Sequence, residues 1–224
     1  MILSGLQSWI QKLTQDPVGT IIELILYALA LLLSLILHEI GHGYAALKCG
    51  DPTAKMMGRL TLDPRKHLDP IGMVCMILLR IGWAKPVPIN PRNFRHYRRD
   101  MILVSFAGII VNLCLFIVSC FLYVALITKS GGFFGYLRVF LEYMIGFNIS
   151  LAVFNLLPVP PLDGYRIVNE VFFGGNLRLD ARTTQIVHTV FLFVCLSGVL
   201  STAFSRVCSF FIEIVLNFFV GLMY

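Results

Sequence analysis

Residues 18–42 read V-G-T-I-I-E-L-I-L-Y-A-L-A-L-L-L-S-L-I-L-H-E-I-G-H, and this stretch decides the fold. Between positions 18 and 37 the only charge is Glu23. Twenty helical residues rise about 30 Å, roughly the hydrocarbon thickness of a bilayer. The run ends in H-E-x-x-H. On a helix, His38 and His42 stand one turn apart on one face, where two imidazoles can grip one zinc ion. Glu39 between them is placed to act on a metal-activated water. In a soluble chain this pattern would suggest an ordinary metalloprotease. Here the chemistry is set in lipid.

Composition extends the membrane reading to the whole chain. Of 224 residues, 58% are hydrophobic and 13% charged, with a mean hydropathy of +0.82. Soluble domains usually run about 45–50% apolar. The polar stretches 43–69, 84–100 and 159–184 are too short to fold alone. The net charge of +6 does not call for nucleic acid as a partner, because the basic residues follow topology. Lys48, Lys55, Arg59, Arg65 and Lys66 share one loop. Lys85, Arg92, Arg95, Arg98 and Arg99 share the next, and Arg166, Arg178 and Arg182 a third. The positive-inside rule makes these loops cytoplasmic. The six cysteines (Cys49, Cys75, Cys114, Cys120, Cys195, Cys208) form no C-x-x-C pair and read as small buried hydrophobes. The N-terminal run is longer than a signal-peptide core and leads straight into H-E-x-x-H.

Periodicity divides the chain into an N-terminal amphipathic segment (1–17), a core (18–175) and a C-terminal transmembrane hairpin (176–224). Leu6, Trp9, Ile10 and Leu13 sit at helical spacing in a short surface helix over 4–15. The first span covers about 18–42. Residues 53–62 alternate imperfectly and read as a short strand. Residues 84–91 (A-K-P-V-P-I-N-P) carry three prolines and read as an extended edge strand. Between them, 70–83 is short for a crossing and has basic flanks, which favours a re-entrant segment or membrane-embedded hairpin. Further spans are expected at about 101–127 and 139–157. The stretch 185–222 should be two helices joined near Ser197–Arg206. The fold class is therefore an all-α membrane protein: a polytopic helix bundle of about five or six spans, with a short membrane-associated β-hairpin or re-entrant segment.

This topology places three elements at one cytoplasmic depth: the end of span one, the first turns of span two and the segment after span three. A catalytic zinc site needs a third protein ligand and keeps one position open. Asp163, in P-P-L-D-G (160–164), is the acidic residue just beyond the inner end of span three. Pro158, Pro160 and Pro161 break the helix there, and Gly164 permits a sharp turn. Asn155, eight residues earlier, and Asn112, inside span two, are uncharged hydrogen-bonding groups at a similar depth.

Taken together, His38-Glu39-Ile40-Gly41-His42, Asn155-Leu156-Leu157-Pro158 and Leu162-Asp163-Gly164 resemble the site-2 protease family of intramembrane zinc metalloproteases. The stretches His67-Leu68-Asp69-Pro70-Ile71-Gly72 and Gly82-Trp83-Ala84-Lys85-Pro86-Val87-Pro88-Ile89-Asn90-Pro91 resemble its short prokaryotic members without PDZ or CBS domains. The resemblance covers about residues 18–175. It implies His38, His42 and Asp163 as ligands of Zn2+, Glu39 as the general base, and Asn155 as a helper near the reacting carbonyl. One departure stands out. The family often has A-G-P-x-x-N, whereas Ala107-Gly108-Ile109-Ile110-Val111-Asn112 has Ile where the proline would be.

The resemblance implies hydrolysis of peptide bonds within or next to transmembrane helices of membrane-protein substrates, in regulated intramembrane proteolysis. It further implies an integral protein of a prokaryotic cell (inner) membrane with its site toward the cytoplasm. The partners expected are a transmembrane protein substrate and the lipid bilayer, and the sequence leaves a homo-oligomer open. Val87–Asn90 is expected to pair with unwound substrate by β-augmentation. The alternative is a non-enzymatic zinc-binding membrane protein, a pseudo-protease or chaperone, against which the intact Glu39 argues. A zinc transporter would need polar residues through the outer halves of the spans, which offer few. A prenyl-protein protease is also a zinc enzyme in membranes, but the L-D-G third-ligand signature favours the site-2 reading. His67, among charged neighbours, reads as a solvated or interfacial histidine. Asn112 and Asn155 each have a bland reading as interhelical or capping groups, and Glu213 suggests at most an interhelical contact.

Overall fold

The computed structural model describes residues 11–69, 72, 85–177 and 179–224. Residues 11–15 are helical and lead into α1 (Pro17–Cys49). The Asp16 carboxylate accepts from the Gly19 N–H at 2.9 Å, and Pro17 supplies the preset φ of a first helical position. The charge at Glu23 is met by the Lys12 ammonium at 3.0 Å and by the Tyr143 hydroxyl at 2.7 Å. α1 ends at Gly50, whose φ of 109° is the left-handed stop that glycine accepts without strain.

Two short helices follow, α2 (Thr53–Met56) and α3 (Pro64–His67), then a 3-10 turn at Pro91–Asn93. The strand expected over 53–62 is thus replaced by a helical turn. The reason is local: the Asp51 carboxylate accepts from the Thr53 N–H at 3.1 Å, and Gly58, at φ 64°, turns the chain back. Residues 85–90 form neither helix nor strand. Among the described residues, their ladder-like bond is from the Lys85 N–H to the His67 carbonyl at 2.8 Å. The expected re-entrant segment at 70–83 lies outside the described residues apart from position 72.

The remaining elements are α4 (Tyr97–Ala125), α5 (Gly132–Asn155), α6 (Asp163–Phe173), α7 (Ala181–Ser197) and α8 (Ser201–Met223). Among the described residues, α1, α4, α5 and α8 are long and apolar enough to cross a bilayer. α7 and α8 are joined by a short turn at Gly198, within the stretch expected to be two helices.

α1, α4 and α5 pack as a three-helix core, with α8 laid against α4 and α5. Phe116, Cys120, Ile145, Ile149 and Cys208 make the cluster that joins α4, α5 and α8. Ile109, Ala152 and Ile167 bring α6 against the same bundle. Cys49, Cys120 and Cys208 are buried as expected, but Cys114 is exposed, on the side of α4 turned away from its neighbours. In a bilayer that side meets lipid, where a thiol is as well accommodated as in a core. At the end of the bundle carrying the basic loops, Arg98 at the start of α4 donates to the carbonyls of Glu170 (2.8 Å) and Val171 (3.1 Å), and so holds α6 in place.

Candidate metal centre

His38 and His42 project from one face of α1, and both are buried. Their rings meet edge to face, with centroids 4.6 Å apart. Asp163 is the first residue of α6 and is also buried. A Cβ on Gly164 would collide with the carbonyl of Leu156, so only glycine lets the chain turn back tightly enough to deliver Asp163. The glycine of L-D-G is thus a steric requirement of this turn.

The three side chains converge. His42 Nε2 lies 3.0 Å from His38 Nε2 and 3.0 Å from Asp163 Oδ2, and His38 Nε2 lies 3.5 Å from the same oxygen. Bound to tetrahedral zinc at about 2.0–2.2 Å, neighbouring ligand atoms stand roughly 3.4 Å apart. The observed triangle is close to one face of such a tetrahedron. Among the described residues these three are the one His/Cys/Asp/Glu group able to hold a metal ion.

The wall opposite this triangle is Gly108 of α4. A Cβ there would sit 2.5 Å from His42 Nε2 and 2.7 Å from His38 Cε1. One methyl group would fill the space beside the imidazoles. α4 also comes close along Gly41, where a Cβ would lie 2.8 Å from Val111 Cγ2. Its Val104 carbonyl is 2.7 Å from His42 Nδ1. Because a carbonyl only accepts, Nδ1 of His42 carries the proton and Nε2 presents its lone pair to the triangle.

Glu39 is half-buried on the adjacent face of α1, and its Oε2 accepts from the Val87 N–H at 2.8 Å. The Pro-rich segment therefore lies directly against it. That segment is pinned at both ends. The Arg59 guanidinium donates to the carbonyls of Lys85 (2.7 Å) and Pro86 (2.9 Å). The buried Asp51 carboxylate accepts from the Asn90 N–H at 2.7 Å and from Asn93 Nδ2 at 2.8 Å. Burial pushes the Asp51 carboxyl up, but the bonds from Thr53, Asn93 and Asn90 outweigh it and leave it below the usual carboxylate range. Sequence reasoning missed these anchors. Asp51 carried no signal that marked it as an anchor, and Arg59 looked like one more topogenic charge.

Asn155 stands at the last turn of α5 and donates from Nδ2 to the Leu151 carbonyl at 3.0 Å. No hydrogen bond links it to His38, His42 or Asp163 in the described structure. Asn112 is fully buried, with Nδ2 3.1 Å from His38 Nδ1. His67 is fully buried, not solvated: its Nε2 donates to the Thr61 carbonyl at 2.8 Å, closing the loop beneath the Pro-rich segment. Glu213 is exposed, and no hydrogen bond or ion pair joins it to the described residues.

The family description "Peptidase family M50" matches residues 132–198, the segment that carries Asn155 and Asp163. The chain is 44% identical over 161 residues to "Putative zinc metalloprotease YwhC" of Bacillus subtilis, covering 70% of this chain and 72% of that one. It is 29% identical over 198 residues to "Putative zinc metalloprotease Rip2" of Mycobacterium tuberculosis, covering 86% and 74%. "Zinc metalloprotease MJ0392" of Methanocaldococcus jannaschii is 31% identical over 180 residues, covering 76% of this chain and 42% of that one. No solved structure gives a significant match. This chain belongs to peptidase family M50, the site-2 protease family whose motifs it carries.

Proposed function

We propose that this integral membrane protein is an intramembrane zinc metalloprotease. It hydrolyses peptide bonds within or next to transmembrane helices of membrane-protein substrates, in regulated intramembrane proteolysis. The observation that carries this reading is the convergence of His38, His42 and Asp163 at 3.0–3.5 Å beside the Glu39 carboxylate. In this reading His38, His42 and Asp163 hold zinc, the metal named for the relatives. Bound there, zinc supplies a Lewis acid that polarises a carbonyl and makes water acidic enough to act near neutral pH. Glu39 takes the proton of the attacking water and passes it to the leaving amine. Asn155, at the mouth of the segment that delivers Asp163, steadies the reacting carbonyl.

Helical peptide bonds are shielded, so the substrate unwinds locally, and the segment 87–90 receives it. The N–H groups of Val87 and Asn90 are held by Glu39 and Asp51. Pairing at Val87 therefore requires its N–H to leave Glu39, which couples substrate arrival to release of the base. The clustering of Lys and Arg in the loops supports a site that faces the cytoplasm of a prokaryotic cell.

The test is proteomics of membrane-protein fragments in cells carrying the wild type or Glu39→Gln. Fragments cut within or beside a transmembrane segment, present only with the wild type, are the expected result. Identical fragment sets would defeat the proposal.

A further inference from the structure

His38 has the same problem as His42. To offer the Nε2 lone pair to a metal, its Nδ1 must carry the proton, and a buried N–H needs an acceptor. For His42 that acceptor is the Val104 carbonyl. The group that faces His38 Nδ1 is the Asn112 side chain, at 3.1 Å, and both residues are buried. Asn112 Oδ1, on the other side of the same amide, has no hydrogen-bond partner among the described residues. An amide presents O and N at equivalent positions, and its orientation follows from its neighbours. With Nδ2 toward the ring, Nδ1 would have to accept, which moves the His38 proton onto Nε2 and blocks the metal. With Oδ1 toward the ring, Nδ1–H donates and Nε2 is free.

We infer that Asn112 is a positioning residue that accepts the Nδ1 proton of His38 through Oδ1 and so fixes the metal-binding tautomer. The arrangement is built on one stripe of α4. Val104, Gly108 and Asn112 follow at intervals of four along the helix, and so share a face. Val104 holds one imidazole, Gly108 leaves room for both, and Asn112 holds the other. The two ligands thus take their tautomers from the same helix. The isoleucine at 109, where the family often has proline, does not disturb this, since Ile109 points into the buried contact with Ala152 and Ile167.

The inference rests on the reading of His38 as a ligand, and the experiment separates the two. Zinc affinity is measured by chelator competition on the purified full-length protein in detergent, for the wild type, His38→Ala, Asn112→Leu, Asn112→Ala and Asn112→Asp. The thermal midpoint of each metal-free form reports folding. Loss of an outer-sphere partner typically weakens metal binding about 10–100-fold. Asn112→Leu should fall in that range, with Asn112→Ala read in its place if the larger side chain prevents folding. Asn112→Asp, which can only accept, should bind within roughly threefold of wild type or more tightly. A merely structural role, or an amide donating from Nδ2, would make Asp as damaging as Leu, and that result overturns the inference. So does unchanged affinity in both Leu and Ala. If His38→Ala itself binds zinc like the wild type, the ligand reading fails instead.

Discussion

The backbone N–H of Val87 donates to Oε2 of Glu39 at 2.8 Å, so the Pro-rich segment and the acid of H-E-x-x-H form one unit. Pro86 and Pro88 flank the donor and have no N–H of their own. Replacing Val87–Asn90 with a Gly/Ser segment should lower the cleavage rate and shift the cleavage sites while leaving bound zinc unchanged. Fragment mapping on a reconstituted transmembrane substrate checks this. Unchanged rates and sites would remove the segment from substrate handling.

Gly108 is the tightest wall of the site. Alanine is favoured over glycine in a helix by about 0.8–1 kcal/mol, so Gly108→Ala should not weaken α4. Its methyl group would nevertheless enter the space against His42 Nε2. Metal content should fall to background while the metal-free protein still folds cooperatively, its thermal midpoint lowered by no more than an overpacked contact of about 1–3 kcal/mol, partly offset by the helix gain. The two readings together distinguish a blocked site from a misfolded one.

Asp163→Asn keeps the shape of the side chain and removes its charge. It should reduce zinc affinity by more than the roughly 10–100-fold that outer-sphere changes cost, and abolish proteolysis with it. Equilibrium dialysis against a zinc buffer measures the first effect.

Asp51 is expected to matter for stability, not chemistry. Removing it in Asp51→Ala takes away the acceptor of the partly buried hydrogen bonds from the N–H groups of Asn90 and Thr53, at about 1 kcal/mol each. Because its folded pKa is lowered, its contribution is complete above the unfolded value of about 3.9 and is lost as pH falls through the folded value. The wild type should therefore lose stability in acid more steeply than Asp51→Ala, as followed by thermal midpoints across pH.

Much of this was legible because lipid and zinc each impose strong constraints. The apolar run before His38 gave the first span, and the Pro-Pro-Leu-Asp-Gly stretch gave the third member of the triangle. The division of the last apolar stretch into two helices was readable from its length and its Ser/Gly turn. What the sequence hid were contacts made across long separations. Arg59 is written like a loop charge, yet it is buried and clamps the carbonyls of Lys85 and Pro86. His67 sits among charged residues but is enclosed by the loop it closes. The strand expected at 53–62 gave way to the single carboxylate of Asp51, a local acceptor stronger than an imperfect alternation. Asn112 was noticed for its depth, but only the packing of α4 on α1 shows which imidazole it meets.

The most direct test of the central claim is the behaviour of Glu39→Gln in purified protein. The amide keeps the shape of the side chain and cannot take a proton. Cleavage of a reconstituted transmembrane substrate should be abolished, while zinc remains bound at wild-type stoichiometry. Full proteolysis by this variant would contradict the account.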